Sequence, residues 1–441
     1  MPLKKYGITL YKHQQDVLEK NPKKYLLPHS CGTGKTITLC ALIKKNVLNN
    51  EPVLLITIKS DKEKWIKILE KFEINADVFT KEEFKKTTTK QVLKKAFDPK
   101  LKKVVEKKVT VKNPQGLKKY EFVIADEVHF MAIGTSMMNK SLMAYLKFYK
   151  PEYIWIATAT PCDSNYWRLY YLGNILGYDW NYNRFRTHFF NFIRKFGPRG
   201  VWSPKKMIDG RPAEVEIGRY INFLGKAVKI EDCVDIPPKV FIEEYFDLTS
   251  EQKTAIKNVN EALALTRNLK YHQICGGTLH EIDIDKNENF LRFKCDKLAR
   301  VIELCHEHKK VFIVCEYKAE IKMIVEELKN KKISKNVYTF TGENSSERTK
   351  NSELADKDDE CIVIANAACS AAYEIPTIPI MIFYSYDFSL INFIQIQDRI
   401  RRINNPTAKT YISLICKDSI DIEVFECINN KKSFDASIYS R

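Results

Sequence analysis

No uninterrupted apolar run in this sequence approaches the roughly 18 residues that would span a bilayer, so no membrane span is expected. The opening Met1-Pro2-Leu3-Lys4-Lys5 has no apolar segment behind it, and no signal peptide is expected either. The twelve cysteines include no Cys-x-x-Cys pair. That excludes a zinc-ribbon pattern and suits free thiols in a reducing, cytoplasmic setting better than a disulfide frame. Cys305-His306-Glu307-His308 has no second ligand pair at zinc spacing and reads as part of a helix. Internal repeats are absent. Acidic residues are in deficit, 55 against 72 lysines and arginines, for a net charge of +17. A surplus of that size favours a polyanionic partner, most often nucleic acid. A lysine-rich surface from an AT-rich genome would give the same number, and abundant Lys, Asn and Ile keep that reading open.

What is present is long enough, at 441 residues and 44% hydrophobic, for two to three globular domains. The chemistry starts at Tyr25-Leu26-Leu27-Pro28-His29-Ser30-Cys31-Gly32-Thr33-Gly34-Lys35-Thr36. An apolar strand feeds a glycine loop, and Ile37 to Ile43 continue as a helix. Backbone N–H groups of such a loop and the positive end of its helix both point at an anion. Lys35 would neutralise β- and γ-phosphates and the Thr36 hydroxyl would sit on Mg²⁺. The common pattern GxxxxGK[ST] has His29 in place of its first glycine.

Pro52 to Ile58, Phe122 to Ala125 and Tyr153 to Ala157 are continuous apolar runs that predict buried parallel strands. Each ends in polar residues: Lys59-Ser60, Asp126-Glu127-Val128-His129, and Thr158-Ala159-Thr160-Pro161. Open α/β sheets place ligands at those carboxyl ends. Two adjacent carboxylates beside an apolar strand are costly without a cation. Asp126 can hold the Mg²⁺ water shell and Glu127 can orient and deprotonate an attacking water. Asp61 to Phe72 predicts a helix in which Trp65 reads as core rather than as a base-stacking surface.

Residues 81–119 hold 14 lysines against four acids. Val104-Val105 and Val109-Thr110-Val111, before Asn113-Pro114-Gln115-Gly116, suggest a hairpin. The segment is either a basic surface for phosphates or a solvated loop. Residues 166–235 carry Trp167, Arg168, Phe185, Arg186, Phe189, Phe190, Arg194, Lys195, Arg199, Trp202, Lys205 and Lys206. They read as an appended helical piece, either a nucleic-acid clamp or a small core with a basic rim. Asp235-Ile236-Pro237-Pro238 marks a boundary. Beyond it Thr249 to Leu265 reads as a helix. Strand–helix alternation then resumes, with strands at 310–315, 337–340, 361–365 and 378–384 and helices at 297–305 and 319–328.

Gln395-Ile396-Gln397-Asp398-Arg399-Ile400-Arg401-Arg402 completes a set. With it nearly the whole chain resembles a superfamily 2 DNA helicase or translocase of the DExH type. Gln395, Arg399 and Arg402 match the pattern Q-x-x-G-R-x-x-R, with Asp398 in the glycine position. Trp65 after the second strand, and Leu248-Thr249-Ser250-Glu251-Gln252 after a Pro-Pro-Lys stretch, resemble the Swi/Snf-like branch. The compact size resembles phage or viral helicases that remodel forks and branched DNA.

The resemblance implies an α/β fold of two RecA-like parallel-sheet domains in tandem, residues 1–165 and 239–441, with a small helical, basic insertion at 166–238. It implies ATP and Mg²⁺ as cofactors. Catalysis falls to Lys35, Asp126, Glu127, Arg399 and Arg402, the two arginines reaching across a domain cleft to the γ-phosphate. Nucleotide contacts fall to Gln14 at the adenine edge, Gly32, Thr33, Gly34, Lys35 and Thr36 at the phosphates, Gln395, and Glu374 at the ribose. Ala371-Ala372 stand where many members have Arg-Gly. Thr36 and Asp126 hold the metal. His129, Thr158 and Thr160 couple the ATP site to a nucleic-acid track touched by Lys59, Ser60, Thr80, Lys318, Thr341 and Gly342. The expected partner is forked, branched or duplex DNA bound by a monomer, with no membrane. An RNA helicase, a duplex translocase that separates no strands, and a nucleic-acid-binding module with a spent ATPase are the rivals.

Overall fold

The computed structural model describes residues 3–429 except 99–102, 162–166, 179, 197–198, 205–212, 262, 283–287, 344–346, 370–372, 403–404 and 406. The chain divides into two compact units, Met1–Cys233 and Val234–Arg441.

The first unit is built on Lys24–Leu27 (β1), Val53–Thr57 (β2), Ala76–Thr80 (β3), Phe122–Ala125 (β6) and Tyr153–Ala157 (β7), with Thr89–Asp98 (β4) and Lys103–Lys112 (β5) forming a separate ribbon. The five-stranded sheet runs β1-β7-β6-β2-β3, parallel throughout. All but the edge strand β3 are almost wholly buried, as a parallel sheet covered on both faces requires. Side chains alternate between two cores. Tyr25, Leu27, Leu55, Ile124 and Trp155 join one, and Leu26, Leu54, Ile56, Val123 and Ile154 join the other.

Residues 166–233 belong to this unit. They hold helices Trp167–Ile175, Tyr182–Phe189 and Ala213–Leu224, and an antiparallel hairpin of Phe190–Phe196 (β8) and Arg199–Pro204 (β9). The segment is therefore not purely helical. Phe185, Phe189, Tyr220 and Leu224 are buried in the same cluster as one face of the sheet. Those aromatics are spent on packing, and a base-stacking role for them is set aside. Lys205 and Lys206 lie outside the described residues.

The second unit carries a six-stranded sheet, Lys239–Phe246 (β10), Lys310–Cys315 (β13), Asn336–Phe340 (β14), Cys361–Asn366 (β15), Ile380–Phe383 (β16) and Lys409–Cys416 (β17). Its order is β10-β17-β16-β13-β15-β14 and every pairing is parallel. Thr278–Ile282 (β11) and Glu288–Arg292 (β12) form a small hairpin. Alternation again splits two cores: Phe312, Val314, Val363 and Phe383 on one side, Val311, Ile313, Ile362 and Ile382 on the other.

Several sequence expectations shift. The basic hairpin exists, but Val104-Val105 and Val109–Val111 share one strand whose partner is the polar Thr89–Asp98. The helix expected over Thr249–Leu265 stops at Asn258, and a second one runs Ala264–Cys275. Its start is a capping box in which Thr249 and Gln252 satisfy each other's backbone N–H. β3, β10 and β17 were not expected, because β3 and β10 are only partly buried and lack a continuous apolar run. Cys305 and His306 lie in a helix, Asp296–Glu307, as the sequence suggested. Among the described residues no helix is long and apolar enough to cross a membrane.

Candidate active site

All the polar strand ends of the first unit lie along one edge of its sheet, because the strands are parallel. The hydrogen-bond ladder carries past the strand ends: Thr158 N–H donates to Leu27 O at 3.2 Å and Asp126 N–H to Ile56 O at 2.9 Å. These links bring the loop after β1, the acidic pair after β6 and the threonines after β7 together.

The loop after β1 turns on two glycines, Gly32 and Gly34, both at φ +81°. A Cβ on Gly34 would sit 2.5 Å from Gln14 Nε2, so only glycine fits there. His29 has no such constraint, which is why a histidine replaces the expected glycine without backbone strain. Its ring is fully buried, packed edge-on to His13 at 5.5 Å, and Ser30 N–H donates to Val228 O at 2.9 Å. Burial, then the neighbouring His13 and Lys35 charges, push the His29 imidazole down to about 3, so it is neutral at physiological pH.

Helix Lys35–Asn46 follows, and its first-turn N–H groups have no partner within the helix. Lys35 Nζ donates to His29 O at 3.0 Å and Ser30 O at 3.3 Å, which holds the ammonium over the loop. Ser30 Oγ is buried without a partner, and Thr36 is half-buried at the helix start. A cradle of free N–H groups, a fixed cation and a spare hydroxyl matches a phosphate chain. Thr36 and Asp126 carry oxygen atoms of the kind that Mg²⁺ would take. Thr33 braces the loop instead of pointing outward, its Oγ1 donating to Ser30 O at 2.8 Å. Gln14 is also committed internally. Its Nε2 donates to Thr33 O at 3.2 Å and Gly34 O at 3.3 Å, and its Oε1 accepts from Tyr11 N–H at 2.9 Å.

Asp126 is buried, and burial together with Glu127 raises its carboxyl above the usual range. The Lys35 charge and a hydrogen bond from Trp65 act in the opposite direction. Trp65 Nε1 donates to Asp126 Oδ2 at 2.8 Å across 61 residues of sequence. Sequence reasoning placed Trp65 in the core correctly but missed this bond. The available signal was chemical, since a buried indole N–H needs an acceptor. Glu127 sits at φ +48°, in the left-handed region, and its N–H donates to Asp126 Oδ1 at 3.0 Å. Left-handed non-glycine residues cost free energy and gather at functional sites.

His129 joins this carboxylate to the threonine motif. Its Nδ1 lies 3.2 Å from Glu127 Oε2 and 2.9 Å from Thr158 Oγ1. Thr160 N–H then donates to Thr158 Oγ1 at 3.1 Å. Glu127, His129, Thr158 and Thr160 thus form one polar chain.

Of the expected nucleic-acid contacts, Lys59 is exposed and Ser60 half-buried at the end of β2. Thr80 is a helix cap instead: its Oγ1 accepts from Glu83 N–H at 3.1 Å while Glu83 Oε2 accepts from Thr80 N–H at 2.7 Å. In the second unit Lys318 pairs with Glu343 at 2.6 Å, and Glu343 N–H donates to Thr341 Oγ1 at 3.3 Å next to exposed Gly342. Those three residues share one surface.

The arginine motif follows helix Leu390–Gln397. Gln395 is buried, and Arg399 Nε donates to its carbonyl at 3.0 Å and Nη1 to Tyr373 O at 3.1 Å. Arg402 pairs with Glu374 at 3.1 Å, so the expected ribose and phosphate residues meet in an ion pair. Asp398 has φ −79°. Nothing there requires glycine, and its carboxylate pairs with Lys239 at 3.1 Å. Ala371 and Ala372 lie outside the described residues.

Residues 1–163 match the family model described as type III restriction enzyme, res subunit, and residues 294–404 match the helicase conserved C-terminal domain. Together they take in more than half of the 441 residues. No curated protein matches the chain. Among solved structures it is similar to a Sulfolobus solfataricus SWI2/SNF2 ATPase core in complex with dsDNA, at 18% identity over 98% of this chain and 93% of that one, with a TM-score of 0.39. It is also similar to S. cerevisiae Dbp5 bound to RNA and ADP BeF3, at 8% identity over 98% and 90%, with a TM-score of 0.51. The latter likeness is one of fold, the tandem RecA-like α/β architecture.

Proposed function

The chain belongs to superfamily 2 of the helicases, and from that premise we propose that it is an ATP-dependent DNA helicase or translocase acting on forked or branched DNA in replication or recombination. The observation that carries the reading is the polar chain from Glu127 through His129 to Thr158 and Thr160, beside the Lys35 loop. Such a chain lets the state of the nucleotide site be felt at a neighbouring surface.

In this reading Lys35 and the loop N–H groups hold the phosphates, and Thr36 and Asp126 hold Mg²⁺. The metal would supply charge neutralisation at the phosphate oxygens. Glu127 orients the attacking water and takes its proton, with His129 fixing the carboxylate. Arg399 and Arg402 stabilise the charge of the phosphoryl transition state, a role suited to a planar, permanently charged group. Glu374 and Gln395 would assist at the nucleotide, and Lys59, Ser60, Lys318, Thr341 and Gly342 would touch a nucleic-acid backbone. Gln14 acts on the nucleotide through the loop that it braces. The Swi/Snf-like features, Trp65 and the Leu248–Gln252 segment, favour DNA over RNA.

The test is steady-state ATP turnover with duplex DNA, forked DNA, single-stranded DNA and RNA, coupled to strand displacement on the forks. Stimulation by DNA with displacement supports the proposal. Stimulation by RNA alone would make the chain an RNA helicase. Stimulation by duplex without displacement would make it a translocase. Absence of any turnover would leave only a binding module.

A further inference from the structure

The β4–β5 ribbon is not part of the sheet that builds the first unit. Each strand is ten residues long, and the two pair only with each other. Its root is firm: Asn113 N–H donates to Thr88 O at 2.7 Å, Thr88 Oγ1 donates to Phe84 O at 2.7 Å, and Phe84 is fully buried. A Cβ on Gly116 would stand 2.1 Å from Thr87 O, so the return of the chain is tightly fitted.

Residues 89–112 contain nine lysines and two acids. Register places Lys94 opposite Lys107. At the root, Lys85, Lys86, Lys90, Lys108 and Lys112 are exposed, and none has an ion-pair partner among the described residues. Elsewhere in the unit some exposed lysines find acids, as in Lys5–Glu73, Lys12–Asp16, Lys23–Glu152, Lys118–Asp77 and Lys119–Glu121, while others such as Lys67 and Lys147 have no ion pair among the described residues. What sets the ribbon apart is the density of lysine beside so few acids. Exposed Leu93, opposite Lys108, adds an apolar contact beside the charge.

We propose that the β4–β5 ribbon is a nucleic-acid-binding arm that lays its unpaired lysines on phosphates, outside the contacts made by the motor motifs. A two-stranded ribbon is narrow enough to follow a groove of a duplex, and phosphate contacts of this kind set position without reading sequence. The inference rests on the nucleic-acid reading of the motor and extends it to a new element.

The test replaces Lys85, Lys86, Lys90, Lys108 and Lys112 with Gln in the full chain, and in a second variant with Arg. Binding of a DNA duplex and an RNA duplex of equal length is followed across salt concentration. With DNA, log K against log [salt] should become shallower by about 0.9 for each lysine on a phosphate, about 4.5 for the set. The Arg variant should keep the wild-type slope, and ATP turnover without nucleic acid and the melting temperature should not change. If the loss occurs on RNA alone, the arm is an RNA element and the DNA assignment is overturned. If wild type binds and the Gln variant keeps its slope, the arm is not on phosphate although the motor reading survives. If wild type binds neither duplex, the motor reading itself fails.

Discussion

Trp65→Phe isolates the bond to the Asp126 carboxylate. Phe keeps an aromatic ring in the core but removes the indole N–H that Asp126 Oδ2 accepts at 2.8 Å, together with part of the indole's volume. A hydrogen bond to a charged group contributes about 1.5–3 kcal/mol, against about 0.5–1.5 kcal/mol for a neutral one. The chain contains its own control in Trp155, equally buried, whose Nε1 donates to the Pro22 carbonyl at 2.8 Å. Trp155→Phe removes the same atoms from a neutral acceptor. In metal-free buffer at pH 7, urea denaturation should show Trp65→Phe less stable than Trp155→Phe by about 1–1.5 kcal/mol. The difference should shrink on acidification. Asp126 is raised in the folded chain, so its stability contribution is complete at low pH and is lost as pH rises through its folded pKa. Without the indole that loss deepens, because the ionised form has lost a donor. The Mg²⁺ concentration needed for half-maximal turnover should rise in Trp65→Phe and not in Trp155→Phe. Equal destabilisation of the two variants at every pH, with an unchanged Mg²⁺ requirement, would refute the reasoning.

Lys297 and Asp421 form a fully buried ion pair at 2.8 Å in the second unit. Lys297→Met should cost about 3–5 kcal/mol in urea denaturation, and adding Asp421→Leu should restore part of it, since the lone buried carboxylate is the main penalty. Glu316 is pushed up to about 9 by burial and by Asp387 and Glu320. An acid raised in this way contributes stability fully below its ordinary pKa, and that contribution falls as pH climbs to 9. Melting temperature should therefore decline over this window in wild type and decline less steeply in Glu316→Gln.

The legible parts of the fold were those where burial is continuous. Phe122–Ala125 and Tyr153–Ala157 are buried along almost their whole length, and the apolar runs match their bounds. β10 escaped notice because it is an edge strand whose side chains are largely exposed, so neither a continuous run nor clean alternation marks it. In the site, residue types with one chemical purpose were readable: a lysine after a glycine loop, paired acids at a strand end. Roles set by distant partners were not. Thr80 turned out to be a cap because Glu83 stands three residues on, a pattern present in the sequence but outweighed by position. The Trp65–Asp126 bond, the His13–His29 contact and the pairing of Arg402 with Glu374 all join residues whose proximity only the fold creates.

The proposed mechanism is that ATP turnover needs Lys35, Arg399 and Arg402. Its most direct test is nucleic-acid-stimulated ATP turnover by Arg402→Gln, with folding checked by circular dichroism and ATP binding measured separately. The account predicts a folded protein that binds ATP but has lost at least about 10³-fold in turnover, the scale on which arginines act in phosphoryl transfer. Turnover within a few-fold of wild type would contradict it.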